Sequence, residues 1–201
     1  MKKITLFAVV LTLGLTVSCK KDPKVPESIK EEKALTKEEF KAETEAKTEV
    51  KTVTVKVPMM PKSDSKVSGT AVFSQHGNTV SMFAKFTGLK TGMHAIHLHE
   101  KADCSSTDGK STGGHWNPSA QQHGKWGDAT GYHKGDIGNF TADAKGNGKA
   151  KFSTDEWCIG CGDPNKDILG KAVIVHQGTD DFKSQPSGAA GSRVSCGGVI
   201  Q

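Results

Sequence analysis

Aromatic residues and arginine are scarce in this 201-residue sequence. Phe, Trp and Tyr together make up 6% of the chain, and Arg193 is the single arginine among 27 basic residues. No run of basic residues is interleaved with aromatics, so nucleic-acid binding has only weak support and is not expected. The one long apolar run, residues 4–17, is too short to span a membrane. A lone arginine among lysines indicates a role for its planar fork of donors, because lysine serves as an ordinary surface charge.

The N-terminal segment has the pattern of an export signal. A basic start is followed by the apolar residues 4–17, and this run ends at Ser18-Cys19. Such a short apolar stretch is typical of a signal peptide. A cysteine directly after a small residue resembles the signal of bacterial lipoproteins, in which the cysteine is lipidated. We therefore expect residues 1–18 to be a lipoprotein-type signal peptide and Cys19 to be lipidated; the alternative is an ordinary cleaved signal with an incidental cysteine.

The next segment, residues 19–49, consists mostly of Lys, Glu, Thr, Ala and Pro. It has too few large apolar residues to bury a core, which predicts a flexible charged tether. The folded domain is then expected over residues 50–201. Export from the cytoplasm permits disulfide bonds. We expect the domain to lie in the cell envelope, in the periplasm, anchored to a membrane through Cys19.

From about residue 50 the hydrophobic pattern has a period of two, as in half-buried strands. Turn residues separate eight such runs, and no amphipathic helix interrupts them. The runs are 51–57, 67–74, 80–87, 94–100, 138–142, 148–152, 172–176 and 194–200. This pattern predicts an all-β domain, an eight-stranded antiparallel Greek-key sandwich or barrel. Two long loops, about 101–135 and 177–193, are expected to carry the function.

Histidines are concentrated in this domain, and seven of the eight lie between residues 94 and 176. His97 and His99 are two residues apart, so both side chains point the same way from one strand. Imidazole suits zinc and copper, and three histidines with one aspartate suit zinc. The further candidates are His115, His123, His133, Asp136 and His176. The sequence therefore predicts a transition-metal site and leaves open whether one metal ion or two are bound.

The order of these motifs closely resembles that of copper–zinc superoxide dismutases. The matching segments are HAIHLHE at 94–100, GGHWNP at 113–118, HG at 123–124, HKGDIGN at 133–139, VH at 175–176 and GSRVSCGGVI at 191–200. The resemblance covers about residues 50–201. It implies a β-barrel enzyme with one copper and one zinc per subunit. Such an enzyme converts superoxide to dioxygen and hydrogen peroxide by alternating Cu(II) and Cu(I), and here it would protect the cell envelope.

Carried over by position, the resemblance also implies a role for each site residue. The implied copper ligands are His97, His99, His115 and His176. The implied zinc ligands are His115, His123, His133 and Asp136, so that His115 serves both metals and takes a proton during the reaction. Asp180 is expected to hydrogen-bond one ligand of each metal, His97 and His123. Arg193 is expected to attract the superoxide anion, and Cys104 to form a disulfide with Cys196.

The motif Cys158-x-x-Cys161 departs from the usual family pattern. We interpret it as a local disulfide, with free thiols or an adventitious metal as alternatives. His94 is interpreted as a structural histidine and His76 as a surface residue.

Two other classes of function remain open on the sequence. A copper or zinc carrier would need neither Arg193 nor Asp180, and a zinc hydrolase would need an open coordination position that the four-ligand zinc set lacks. The oligomeric state is also open, with a homodimer among the arrangements.

Overall fold

The structure is a computed structural model that describes residues 52–201. The expected signal peptide, the lipidated Cys19 and the tether lie outside the described residues. Within the described part, no helix has the length and apolar character needed to cross a membrane. The regular structure of residues 52–201 consists of one 3₁₀ turn, Lys110–Thr112, and eight strands: β1 (Val53–Pro61), β2 (Ser68–His76), β3 (Thr79–Thr87), β4 (Gly92–His99), β5 (Gly138–Ala142), β6 (Gly148–Thr154), β7 (Ala172–His176) and β8 (Arg193–Gly198).

The strands close into one antiparallel barrel in the order β1-β2-β3-β6-β5-β4-β7-β8. Closure comes from β1 and β8, where Met60 lies opposite Cys196 and Pro61 opposite Ser195. After β3 the chain passes β6 and β5 to reach β4, and after β6 it passes β5 and β4 to reach β7. These crossings are Greek-key connections. The all-β, eight-stranded antiparallel fold predicted from the sequence is confirmed.

Alternation of polar and apolar residues decides which face each strand buries, because every second side chain of a strand shares a face. In β1, Val55, Val57 and Met59 are buried, and the residues between them are exposed. β3 follows the same pattern with Val80, Met82, Ala84 and Phe86. Burying one such large apolar side chain contributes roughly 1.5–3 kcal/mol. The barrel interior is therefore the main source of stability in this domain.

β4 differs from these strands because both of its faces are covered. Ile96 and Leu98 belong to the barrel core. His97 and His99 lie on the opposite face, where the loops that follow β4 and β7 provide their hydrogen-bond partners. The first of these loops spans residues 100–137 and the second residues 177–192. The barrel thus forms the rigid floor of a site, and the two loops cover it.

Backbone hydrogen bonds attach the 100–137 loop to β4. The Leu98 N–H donates to the Gly135 carbonyl at 2.9 Å, and the Leu98 carbonyl accepts from the Trp116 N–H at 2.8 Å. A Cβ atom at position 135 would lie 2.1 Å from the Leu98 carbonyl oxygen, so this close approach requires glycine. His133 lies two residues before Gly135 in the sequence, and Asp136 directly follows it. The contact with β4 therefore places both of these side chains beside the strand.

Candidate metal centre

Six histidines from β4, β7 and the 100–137 loop converge, and each has one ring nitrogen without a well-aligned hydrogen bond. All six side chains are buried, with exposed fractions from 0% for His97 to 5% for His115 and His133. The atoms without a well-aligned hydrogen bond are Nδ1 of His97, His123 and His133 and Nε2 of His99, His115 and His176; among these, Nδ1 of His123 and of His133 face the Asp136 carboxylate. A buried polar atom without a partner is rare in folded proteins and points to a bound ligand. Six such atoms in one place fit metal ions.

One group of four histidines has the composition of a copper site. Its members are His97, His99, His115 and His176, and their ligand atoms all lie within 4.8 Å of one another. His97 and His99 come from the outer face of β4, and His176 ends β7. His115 is brought alongside by an isolated β-bridge to His99. Four imidazoles without a carboxylate or thiolate suit copper.

Hydrogen bonds to the second ring nitrogen orient these histidines. Nδ1 of His99 donates to the Gly113 carbonyl at 3.0 Å, and Nδ1 of His176 donates to the Gly191 carbonyl at 3.2 Å. Nδ1 is thereby occupied in both residues, and Nε2 is left for a metal. His97 is reversed, because its Nε2 donates to Asp180 at 2.9 Å and its Nδ1 remains free. Partners of this kind fix the tautomer and the ring plane of a metal ligand.

A second group has the composition of a zinc site and shares one histidine with the first. It contains His115, His123, His133 and Asp136, again with all ligand atoms within 4.8 Å of one another. Oxygens of Asp136 lie 2.8 Å from Nδ1 of His115, 3.0 Å from Nδ1 of His123 and 3.2 Å from Nδ1 of His133. Three histidines and one aspartate form a closed zinc set. His115 faces this group with Nδ1 and has Nε2 free for the copper group.

Asp180 connects the two groups. Its Oδ2 accepts a hydrogen bond from His97 Nε2 at 2.9 Å, and its Oδ1 accepts one from His123 Nε2 at 2.8 Å. The Asn139 side chain holds the Asp180 backbone through two hydrogen bonds of 2.8 Å. A Cβ atom at Gly188 would lie 1.8 Å from Asp180 Oδ1, so the loop can pass this close only as glycine. The carboxylate is therefore fixed between one histidine of each group.

The electrostatic environment keeps the copper-group histidines neutral at pH 7. Burial lowers the pKa values of His99 and His176 well below the ordinary value of 6.5. Burial also lowers the pKa of His115 to about 4, although its hydrogen bond to Asp136 acts in the opposite direction. Neutral imidazoles offer the lone pair that a metal requires.

His123 and the two aspartates behave differently. Burial acts to lower the pKa of His123, but its contacts with Asp136 and Asp180 raise it to about 9. Burial acts to raise the pKa values of both aspartates, yet their hydrogen bonds with the histidines hold these values far below the ordinary 3.8. In the metal-free protein two carboxylates are therefore charged, and a metal would displace a proton from His123.

Arg193 lies at the mouth of the copper group. Its Nη1 donates to the Gly109 carbonyl at 2.8 Å and to the Thr112 hydroxyl at 2.9 Å. The side chain lines an open cleft of about 590 Å³ together with His99, His115 and His176. Its half-buried position lowers the pKa of the guanidinium, which still stays charged at pH 7. The cleft thus offers a fixed positive charge beside the free nitrogens.

A disulfide between Cys104 and Cys196 fixes the loop that carries the partners of Arg193. The two Cα atoms are 5.9 Å apart, and 92 positions separate the cysteines in sequence. On the other side of the loop, the Lys62 ammonium donates to the Cys104 carbonyl at 2.5 Å and to the Ser106 carbonyl at 2.9 Å. The loop is thereby held against both β8 and the end of β1.

Three further residues, Lys62, Thr112 and Gln185, support the site and were not predicted from the sequence. Gln185 holds His123 through both backbone groups, accepting from its N–H and donating to its carbonyl, each at 2.9 Å. All three residues act on loop backbone or on Arg193, and no local pattern in the sequence marks such contacts.

The remaining candidates lie outside both groups. His94 is buried, and its two ring nitrogens face the carbonyls of His176 and Lys90. His76 is an exposed residue at the end of β2. Cys158 and Cys161 are joined to each other by a disulfide in the β6–β7 connection.

Comparisons with known proteins were made for the whole chain. The family model for copper/zinc superoxide dismutase matches residues 67–200. Among solved structures, a double mutant of a SOD-like protein from Bacillus subtilis is similar with a TM-score of 0.63 and 27% identity, over 73% of this chain and 97% of that chain. The clock protein EA4 is similar with a TM-score of 0.63 and 30% identity, over 73% of this chain and 94% of that chain. The family match includes every residue of the two histidine groups.

Proposed function

Because this chain belongs to the copper/zinc superoxide dismutase family, we propose that it converts two superoxide anions and two protons to dioxygen and hydrogen peroxide. The observation that carries the proposal is the pair of ligand groups that share His115, with Arg193 at the mouth of the copper group. A protein that only stores metal needs neither a shared ligand nor a fixed cation beside it. This arrangement is suited to redox chemistry on a small anion.

The residues present fit both metals. His97, His99, His115 and His176 would hold copper, and His115, His123, His133 and Asp136 would hold zinc. When bound, copper supplies one-electron exchange with superoxide, and zinc supplies a positive charge that stabilises the loop and the deprotonated form of His115. The protein provides the neutral ring nitrogens and fixes their directions through Asp180 and backbone carbonyls.

Arg193 binds and orients the substrate in this proposal. Superoxide is a monoanion, and a cleft with a positive charge at its floor raises the local concentration of anions. The hydrogen bonds to Gly109 and Thr112 occupy Nη1 only, so other N–H groups of the guanidinium fork stay available for the anion. The fixed position of the fork selects a small anion at the histidine group.

In this proposal Nε2 of His115, which would offer its lone pair to copper, carries a proton only in the step that forms peroxide. That atom faces the copper group, whereas Nδ1 faces Asp136 of the zinc group. Formation of peroxide consumes protons, and a buried imidazole with a free nitrogen at the reacting position is suited to deliver one. Asp136 stays ionised beside it and fixes the ring while the proton moves.

The deciding experiment is a superoxide dismutation assay on the full chain, purified in detergent and reconstituted with copper and zinc. We expect fast, cyanide-sensitive activity that requires copper. The same preparation loaded with zinc alone is the control and should be inactive. Stoichiometric binding of both metals without activity would contradict the proposal and favour a metal carrier.

We also propose that the protein is exported and lipid-anchored in the cell envelope through Cys19, where it removes superoxide in the periplasm. The support is the apolar run of residues 4–17 followed by Ser18-Cys19. We expect Cys19→Ala to move the protein from the membrane fraction to the soluble fraction. Ser18→Ala keeps a small residue before the cysteine and serves as the control that stays with the membrane. Persistence of the Cys19 variant in washed membranes would count against the anchor.

A further inference from the structure

Cys158 and Cys161 form a second disulfide, which takes no part in either histidine group. We propose that this pair is a site of thiol–disulfide exchange. An external dithiol reduces the bond, and an external disulfide compound oxidises the two thiols and restores it. The proposal goes beyond dismutation, and it does not depend on bound metal. It is based on the exposure of Cys161, on the surface depression around the pair and on the hydrogen bonds of Asp167 that hold the loop.

The two sulfur-bearing residues differ in exposure. Cys158 is buried, with 7% of its surface exposed, whereas Cys161 is exposed. Exchange requires a thiolate to reach one sulfur of the disulfide along the S–S axis, so access decides which sulfur is attacked. The accessible sulfur is therefore that of Cys161, and Cys158 is the leaving group. In the other disulfide, Cys196 is fully buried and Cys104, within the 100–137 loop, is half-buried.

The surface around the pair has room for a reductant. Both cysteines line a surface depression of about 450 Å³, together with Gln75, Asn78, Asp155, Trp157 and Lys166. Lys166 and Asp155 place one charge of each sign there, so the depression repels neither sign of partner strongly. A dithiol of a protein or a small molecule can approach Cys161 from this side.

The loop does not depend on the disulfide for its shape, because Asp167 holds it independently. The Asp167 carboxylate accepts hydrogen bonds from the N–H groups of Gly160, Gly162 and Leu169, at 2.9, 2.9 and 3.0 Å. Backbone hydrogen bonds also join Cys158 to Lys166 and to Ile168. Reduction would therefore leave the two thiols close together and able to close again.

The same hydrogen bonds argue against a metal site at this position. The ligand atoms of Cys158, Cys161 and Asp167 lie close enough to hold an ion. However, the Asp167 oxygens already accept three backbone N–H groups, and loss of these bonds would open the loop. The pair thus serves exchange with thiols better than metal binding.

The chemistry balances in two steps. A thiolate of the external dithiol attacks the Cys161 sulfur, forms a mixed disulfide and releases the Cys158 thiolate, which takes a proton from water. The second thiol of the reductant loses its proton and attacks the reductant's other sulfur, which is bonded to Cys161 in the mixed disulfide. This step releases the Cys161 thiolate, which is also protonated. The external dithiol is oxidised by two electrons, and the protein gains two thiols.

The first test is partial reduction of the metal-loaded full chain with dithiothreitol, followed by alkylation and peptide mapping at a series of times. We expect Cys158 and Cys161 to be alkylated at least about tenfold faster than Cys104 and Cys196, because attack is limited by access to the sulfur. Removal of the reductant and exposure to oxidised glutathione should restore the bond. Equal rates for the two disulfides, or slower opening of the Cys158 pair, would overturn the proposal.

A matched pair of variants tests which sulfur is attacked. Cys158→Ser leaves the exposed thiol of Cys161, and Cys161→Ser leaves the buried thiol of Cys158. With a chromogenic aromatic disulfide as the probe, the thiol of Cys161 should react roughly tenfold faster than that of Cys158. Equal reactivity in two folded variants contradicts the assignment. Copper and zinc content should be unchanged in both, which separates this result from any failure of the dismutase proposal.

Discussion

At the scale of single residues, Arg193 has a geometry that lysine cannot reproduce. One guanidinium nitrogen is held by a carbonyl and a hydroxyl, and the rest of the fork faces the cleft. A lysine ammonium carries its three donors on a single nitrogen at the end of a flexible side chain. It therefore cannot hydrogen-bond the loop with one nitrogen and present others to the cleft in fixed directions. The side chain therefore combines charge with orientation.

Replacement of Arg193 by Met should slow dismutation without loss of metal. Removal of a steering charge lowers association rates by roughly 10-fold or more, and the loss should shrink as ionic strength rises. Stopped-flow rates over a series of salt concentrations, with copper and zinc content measured in parallel, check this prediction. Arg193→Lys is the control, because it keeps the charge and should keep the salt dependence. An unchanged rate in the Met variant would refute the steering role.

At the scale of elements, the segment of residues 104–112 connects the barrel wall to the cleft. The disulfide joins it to β8, Lys62 holds its first carbonyls from the end of β1, and its last residues hold Arg193. None of these attachments involves a metal ligand. The position of Arg193 is therefore set by the barrel before any metal binds.

Lys62→Met should loosen this segment while the metal groups stay intact. Loss of two hydrogen bonds from a charged donor should lower the free energy of unfolding by about 1–3 kcal/mol. It should also lower the dismutation rate, because the partners of Arg193 move. Hydrogen exchange of residues 104–112 and stopped-flow kinetics measure the two effects. Lys66→Met removes the same charge from an exposed neighbour; if it slows the reaction equally, charge rather than positioning is responsible.

The strands themselves were largely predictable, but the end of β1 was not. β5 and β7 have the predicted bounds, 138–142 and 172–176, because glycine and turn residues delimit short apolar runs there. The predicted end of β1 at residue 57 is wrong, since the strand continues to Pro61. Met60 and Pro61 pair with β8, far along the chain. Local alternation does not contain such a pairing, and the prolines in this stretch suggest an earlier end.

Some residues of the candidate site were also predictable from the sequence, and others were not. The metal-ligand candidates stand in recognisable motifs, and the structure brings all of them into two groups. The residues that orient the groups were not predictable, because their contacts are to backbone atoms. Gly113 and Gly191 contribute carbonyls, and Lys62 binds a carbonyl on a distant loop. A carbonyl is present at every position, so only the folded chain shows which one is used.

At the scale of the whole molecule, the two histidine groups contain residues of β4, β7 and the 100–137 loop, so metal binding would act on much of the domain. Without metal, each buried nitrogen that lacks a partner costs about 1–3 kcal/mol. A ligand that binds the folded form alone raises stability by mass action. Metal bound at these groups would therefore add to the stability that the barrel core provides.

The metal-free protein should be most stable near neutral pH. Asp136, Asp180 and His115 have lowered pKa values in the folded state, so the unfolded chain binds protons more readily and stability falls as the pH drops from about 6.5 towards 4 and below. The raised pKa of His123, about 9, has the opposite sign, so its contribution is complete below 6.5 and is lost between 6.5 and 9.

Urea unfolding of the metal-free full chain at a series of pH values measures this profile. The midpoint should be highest near pH 6.5 to 7, decline steeply in acid and decline gently in alkali. The zinc-loaded protein is the comparison and should show a higher midpoint at neutral pH. A midpoint that stays constant between pH 7 and pH 4 would contradict the ionisation states assigned to the site.

The sharing of His115 and Asp180 between the two groups has a thermodynamic consequence. Each residue contacts both positions through different atoms, so an ion that fixes either side chain removes part of the ordering cost for the second ion. Loading of copper and zinc would then be cooperative, and linkage would require the coupling to be reciprocal: the factor by which zinc raises copper affinity would equal the factor by which copper raises zinc affinity. In a cell that is short of one metal, the protein would consequently bind the other metal less tightly as well.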